Sequence, residues 1–300
     1  MTQTALMGRD KLRAVEKNPP GLWQLAGRRF LRHKAGVISG IILLLIVAVI
    51  TLGPIFFISY DAAFRPNPLI INEPPSREHW LGADQVGRDI LARIVYGGQI
   101  SLTIGLLAMA VSVMVGSVLG AVSGYFGRVV DSIIMRFTDA MVSIPGIFLI
   151  IALAVFLGST LHTITLSIGL LNWMTIARIM RALFLSLKEQ DFVLAARCVG
   201  LRNGRIMWGH ILPNAIAPVV VTATLTVADA ILTETAVSYL GLGIQPPTPS
   251  WGNMLKNAQE VIWSAPWMAT FPGMMIFITL LCINFIGDAL RDALDPHMKL

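Results

Sequence analysis

KEQDFVLAARCVGLRNGRIMWGHILP, the run from Lys188 to Pro213, is where the reading of this chain turns. It is polar and basic, and it separates apolar stretches that have no way of folding in water. A segment so placed lies outside the hydrocarbon and faces a soluble partner.

The flanking sequence is membrane in character. Apolar residues make up 55% of the 300 and Asp, Glu, Lys and Arg only 13%, with a mean hydropathy of +0.71. A soluble domain carries about 25% charge, so a soluble helical core is a poor description. Six windows are apolar enough to cross about 30 Å of hydrocarbon, which takes about 20 helical residues: 37–58, 100–124, 140–157, 161–184, 215–244 and 269–287. Lipid offers no partner to backbone N–H and C=O groups, so each window is expected to be a helix. The fold class expected is all-α, a polytopic membrane protein with six transmembrane helices.

Basic residues orient it. Eight lie in the first 35 residues, and alternation through six spans puts ten more on the same side, from Arg128 and Arg136 through Arg178, Arg181, Lys188, Arg197, Arg202 and Arg205 to Arg291 and Lys299. Five fall opposite: Arg65, Arg77, Arg88, Arg93 and Lys256. Eighteen against five places both termini in the cytoplasm by the positive-inside rule. A pI near 9.7 also raises nucleic-acid binding, but these charges border membrane helices and form no stripe. The first apolar run starts too late and lacks a small-residue cleavage site, so it reads as a retained helix. Cys198 and Cys282 form no CxxC or disulfide framework.

These expectations divide the chain into a cytoplasmic tail (1–35), a first span with a long periplasmic loop (36–99), a core of five spans containing the loop 188–213 (100–288), and a cytoplasmic C-terminal tail (289–300). In the first external loop, LGADQVGRDILARIVYGG offers Asp84 as the N-cap of a surface amphipathic helix. The second, 245–268, holds Trp251, Trp263 and Trp267, which at that depth favour anchoring in the headgroup region over ligand stacking.

No catalytic pattern is present: no GxxxxGK[ST], HExxH or GxSxG, and no Cys/His cluster that holds a metal. Charged groups inside the spans are costly. Asp229 and Glu234, both in the fifth, are candidates for a translocation path or for helix–helix hydrogen bonds. They lie about 140° apart around a helix and share no face. Small residues Gly105, Ser112, Gly116, Ser117, Gly120, Ser123 and Gly124 in the second span favour close helix packing, within the chain or with a sister chain.

Ala195-Ala196-x3-Gly200, followed thirteen residues later by Pro213, resembles the coupling loop of bacterial ABC importer permeases. RRFLRHKAGVISG, LGADQVGRDILARIVYGGQISLTIG, GYFGRVVDSIIMRFTDAMVSIPG, ETAVSYLGLGIQPPTPSWGNML and GDALRDALDP, in that order, are similar to the C-type permeases of dipeptide and oligopeptide importers, over about residues 20 to 298. The resemblance implies a type I importer-like permease of the bacterial inner membrane with no catalysis of its own. It implies pairing with a homologous B-type permease, coupling to two cytoplasmic ATPases that bind ATP and Mg, and a periplasmic binding protein. It makes Ala195, Ala196, Gly200, Leu201, Arg202, Arg205, Ile211 and Pro213 the coupling loop, with a coupling helix at about 201–208. Gly200 is expected to end a helix and to admit another backbone closely, and Pro213 to open the fifth span. It makes Asp84, Arg88, Asp89 and Trp251, within 84–96 and 245–251, the candidate binding-protein contacts. The family's glutamate before the two alanines is Leu194 here; Glu189 and Asp191 are the nearest acids. Peptides are the substrate implied, with glutathione, nickel chelates or opines as alternatives in the same branch. An ion-driven secondary transporter, for which inverted repeats and broken mid-membrane helices are the marks, and a non-transporting scaffold are the rivals.

Overall fold

The computed structural model describes residues 22–56 and 58–295, with the backbone alone at 22 and 23. Residues 1–21 and 296–300, including the tail residues Arg9, Lys11, Arg13, Lys17 and Lys299, lie outside the described residues. What is described is helical, with no strand.

α1 (Leu22–Arg32) turns at His33 into α2 (Lys34–Phe56), the first span. α2 is 23 residues long, about 34 Å at 1.5 Å per residue. It seats closely against the last helix: a Cβ at Gly36 would stand 2.4 Å from that of Ala289. A short helix α3 (Tyr60–Phe64) and a loop follow.

α4 (Ile90–Phe126) runs 37 residues without interruption. The expected amphipathic helix and second span are therefore one helix, capped by Asp89, whose Oδ1 accepts from Ala92 N at 2.8 Å. Asp84 is not the cap. Its carboxylate is consumed by the turn before the helix, accepting from the N–H groups of Val86 and Arg88 at 3.0 and 2.9 Å. α4 ends at Gly127, where φ is +64°.

The window expected to be the third span is interrupted by a bend. α5 (Arg128–Val142) and α6 (Gly146–Leu157) meet at 82°. Pro145 supplies no N–H and disfavours helical backbone at Ile144, which ends α5 there. α6 has twelve residues, about 18 Å, too short to cross alone. α7 (Leu161–Leu187) starts at a Thr160 cap, with Oγ1 accepting from Thr163 N. The short helix α8 (Asp191–Cys198) leads to α9, which runs Asn203–Tyr239. The fifth span thus begins ten residues before Pro213, contrary to expectation. A π turn at Met207–Ile211 accommodates the proline, with Leu212 N–H reaching back to Met207 O. α10 (Trp251–Ala258) and the last span, α11 (Trp267–Leu294), complete the chain.

Small residues set the packing. Ser112, Gly116, Gly120 and Gly124 form one ridge of α4, each four residues from the last, and it lies along the carbonyls of Gly169, Trp173, Ala177 and Arg181 on α7. Ser112 Oγ donates to Gly169 O at 2.8 Å. Cβ atoms added at the three glycines would stand 2.6, 2.4 and 2.6 Å from the other three carbonyl oxygens. With no hydrophobic force between helices in lipid, such approach supplies the van der Waals energy of association. The close packing expected from these residues is within the chain.

Candidate functional site

The segment 188–213 folds as two parts on one buried base. α8 turns Val193 and Ala196 inward, and α9 adds Ile206, Met207, Ile211 and Ala215. They pack on Met180 and Phe184 of α7 and Tyr125 of α4. The Schellman geometry after α8 is complete: Gly200, at φ +81°, donates to Arg197 O at 2.9 Å and Leu201 to Ala196 O at 3.2 Å. Gly200 thus ends a helix as expected. Among the described residues no atom comes within 4 Å of a Cβ built there, so the space beside it is open.

The isolated helix of the loop is therefore 191–198. Residues 203–208 open the fifth span, which corrects the expected coupling helix at 201–208. The cause is the positive φ at Gly200, which stops one helix and turns the chain into the next. Of the eight loop residues, Ala196 and Ile211 are buried and Leu201 half-buried. Ala195, Gly200, Arg202, Arg205 and Pro213 are exposed. The exposed face of α8 also presents Phe192, Leu194 and Val199, the last 80% exposed. Where the resemblance led to an acid, position 194 offers an apolar side chain.

Further polar groups tie the helices around this loop. Tyr125 Oη donates to Asn203 Oδ1 at 2.9 Å, and the Arg197 guanidinium lies 5.6 Å from the Tyr125 ring centroid. Lys188 Nζ donates to Gly124 O at 3.1 Å. Arg181 Nη2 reaches Asp131 Oδ2 at 2.7 Å, tying α7 to α5, and Arg178 meets Asp139 at 2.7 Å. Aspartates of an amphipathic α5 facing arginines three residues apart on α7 were the signal available for these last pairs.

The two carboxylates of α9 part company. Glu234 is fully buried, accepting from Ser238 Oγ at 2.7 Å and Ser101 Oγ at 3.2 Å. Ser101 Oγ in turn accepts the Trp251 N–H at 3.2 Å. Asp229 is exposed, and its helix face continues through Leu225, Thr222 and Pro218 into an open cavity of about 410 Å³ lined also by Ile179 and Arg291.

Of the outer-loop candidates, Asp84 and Arg88 form a buried pair, Nε to Oδ2 2.8 Å, with Arg93 Nε 3.4 Å from the same oxygen. Asp89 caps α4 and meets His79 Nδ1 at 2.9 Å. Trp251 is fully buried, its Nε1 donating to Ile94 O at 3.0 Å. The expected headgroup anchoring fails for Trp251, because the Ser250–Asn253 capping box turns α10 into the helix packing. Trp263 is 96% exposed. The side chains at 84, 88 and 251 are buried and shape the outer surface from beneath.

Among the described residues no group of His, Cys, Asp or Glu is placed to hold a metal ion. The break between α5 and α6, a feature set down for the ion-driven rival, carries no charged residue from Ser143 to Gly146.

Residues 116–300 match the family model described as "Binding-protein-dependent transport system inner membrane component". The chain belongs to that family. It is a multi-pass protein of the inner membrane and a transport-system component. Residues 21–75 match the N-terminal transmembrane domain of oligopeptide transport permease C. The chain is 41% identical over 277 residues to the dipeptide transport system permease protein DppC of Alkalihalophilus pseudofirmus, covering 92% of this chain and 90% of that one. It is 39% identical to the oligopeptide transport system permease protein OppC of Bacillus subtilis (95% and 93% covered). It is also 39% identical to the glutathione transport system permease protein GsiD of Pectobacterium atrosepticum (92% of each). A crystal structure of the MetNI methionine ABC transporter, inward-facing, shares the fold over 67% of this chain and 96% of its own at TM-score 0.55 and 18% identity.

Proposed function

We propose that the chain is the C-type permease of an ATP-driven importer of dipeptides or oligopeptides. It lines the translocation path together with a homologous B-type permease. The observation that carries this is the α8 surface: apolar and basic residues held outward on a rigid buried base, which is what a docking helix requires. Two ATPases, which hold ATP and Mg, engage this loop and its counterpart on the second permease. Their closure on ATP moves α8 as a unit with α7 and α4, to which it is tied by Lys188, Tyr125 and the glycine ridge. The chain itself performs no chemistry.

The path follows the α9 face that runs from Asp229 to the cavity at Pro218. Asp229 stands ten residues before Tyr239, about 15 Å along the helix and so near mid-bilayer, where a bare carboxylate facing lipid is costly. Covering by the second permease or by water in the path removes that cost. Both termini lie in the cytoplasm, on the basic-residue distribution. The binding protein meets the opposite face, on the surface built by the Asp84–Arg88 turn, Asp89 and α10. A second reading keeps the mechanism and exchanges the cargo for a small thiol peptide, which the glutathione relative favours.

The test is energetic. Uptake by the complete complex in vesicles should persist when an uncoupler collapses the proton gradient at constant ATP, and stop when the ATPases are inactivated. The reverse pattern would reject the importer in favour of an ion-driven carrier.

A further inference from the structure

Beside the end of α2 lies a recess of about 820 Å³, within the size range of small-molecule sites. Its floor and walls are Leu45, Val49 and Leu52 of α2 and Leu91 of α4; its mouth holds Glu78, His79, Trp80 and Asp89. Trp80 is 72% exposed, and Glu78 is exposed and among the described residues has no ion-pair or hydrogen-bond partner for its carboxylate. Asp89 already serves His79 and the α4 cap.

We propose that this recess is a binding site for one phospholipid carrying a primary ammonium headgroup. The apolar wall is formed by a helix with the length and apolarity of a membrane span, with Leu45, Val49 and Leu52 exposed along it, so an acyl chain is the natural filler. The polar mouth lies where α2 ends, the depth at which an exposed tryptophan such as Trp80 partitions to the headgroup layer. Charge selects the headgroup. The mouth presents a free carboxylate at Glu78, which an ammonium satisfies and an anionic headgroup does not. Arg77, exposed and next in sequence to Glu78 though outside the recess lining, is the cation we assign to the lipid phosphate. The proposal does not depend on what the transporter carries.

The chain is purified in mild detergent with the subunits that accompany it. It is then exposed to phosphatidylethanolamine or phosphatidylglycerol of matched acyl chains, and retained lipid is counted by native mass spectrometry. The expected result is a roughly fivefold preference for phosphatidylethanolamine, the scale of a partly exposed ion pair. Glu78→Gln should abolish the preference while leaving lipid bound, and Leu52→Trp should expel the lipid altogether. Both side chains are exposed, so thermal unfolding of the variants should match the parent and shows that they fold. Equal retention of the two lipids, a preference unchanged in Glu78→Gln, or no lipid retained by the parent would each overturn the proposal.

Discussion

The hydroxyl of Tyr125 donates to Asn203 Oδ1 at 2.9 Å, joining the last turn of α4 to the first turn of α9 across the loop that carries α8. One neutral hydrogen bond contributes about 1 kcal/mol. Tyr125→Phe is expected to loosen the loop by that amount while keeping the ring beneath Arg197. Trypsin cleavage at Arg197 and Arg202 should then run several-fold faster than in the parent. Unchanged cleavage would mean that the bond does not brace the loop.

Gly200 is constrained by its own backbone and, among the described residues, by no neighbour. At φ +81° an L side chain costs about 1–2 kcal/mol, and asparagine bears that conformation best. Gly200→Leu should therefore insert normally yet lose uptake or release the ATPases, whereas Gly200→Asn should retain most activity. Uptake and copurifying ATPase, measured at equal permease level, decide it, and normal transport by Gly200→Leu refutes the role given to the loop.

The ridge on α4 should be far less tolerant. Gly120→Leu drives atoms into the Ala177 carbonyl, already 2.4 Å from an added Cβ, and overpacking of this kind costs about 1–3 kcal/mol or more. The amount of folded protein in the membrane should fall sharply. Gly40→Leu is the control, since among the described residues nothing lies within 4 Å of a Cβ there, and it should accumulate like the parent.

Glu234 and Asp229 should respond in opposite ways. Glu234→Leu leaves Ser101 and Ser238 hydroxyls without their acceptor in a buried site, at a cost of about 1–3 kcal/mol, visible as a lower unfolding temperature of the purified complex. Glu234→Gln keeps an acceptor and should lose less. Asp229→Asn should leave that temperature unchanged, because the side chain is exposed and among the described residues no hydrogen bond or ion pair holds its carboxylate.

Orientation is open to a labelling experiment. In a chain with Cys198 and Cys282 replaced, Leu69→Cys, at a position 92% exposed, should react with an impermeant thiol reagent from outside intact cells. Val199→Cys, also highly exposed, should react only after the membrane is opened. Labelling of position 199 from outside would overturn the topology and the coupling argument together.

The spans were legible in the sequence because length and apolarity alone determine what crosses a bilayer, and the windows at 37–58 and 161–184 differ from the helices by a few residues. Ends and breaks were less so. Asp84 and Asp89 are equally good caps in isolation; only the folded turn, where Arg88 and Arg93 claim Asp84, assigns the role to Asp89. Pro145 was visible, but the 82° bend it permits depends on α5 being held to α7 by Asp131–Arg181 and Asp139–Arg178. Trp251 looked like an interfacial anchor until its indole N–H was placed on the Ile94 carbonyl, a contact made across 157 residues that no local pattern reveals. In the loop, Gly200 was read correctly as a helix stop, while the side of it on which the free helix lies was not.

The two long helices, α4 and α9, have 37 residues each, about 55 Å, and overreach any bilayer. α2, at about 34 Å, has little to spare over the hydrocarbon. Membrane thickness therefore acts on this protein chiefly through its outermost span. A thicker bilayer tends to draw α2 upright and a thinner one to tilt it, and either motion works against the close seats at Gly36 on Ala289 and at Gly53 on Val95. Lipid composition thereby gains a mechanical hold on the helices around α4 without touching the coupling loop.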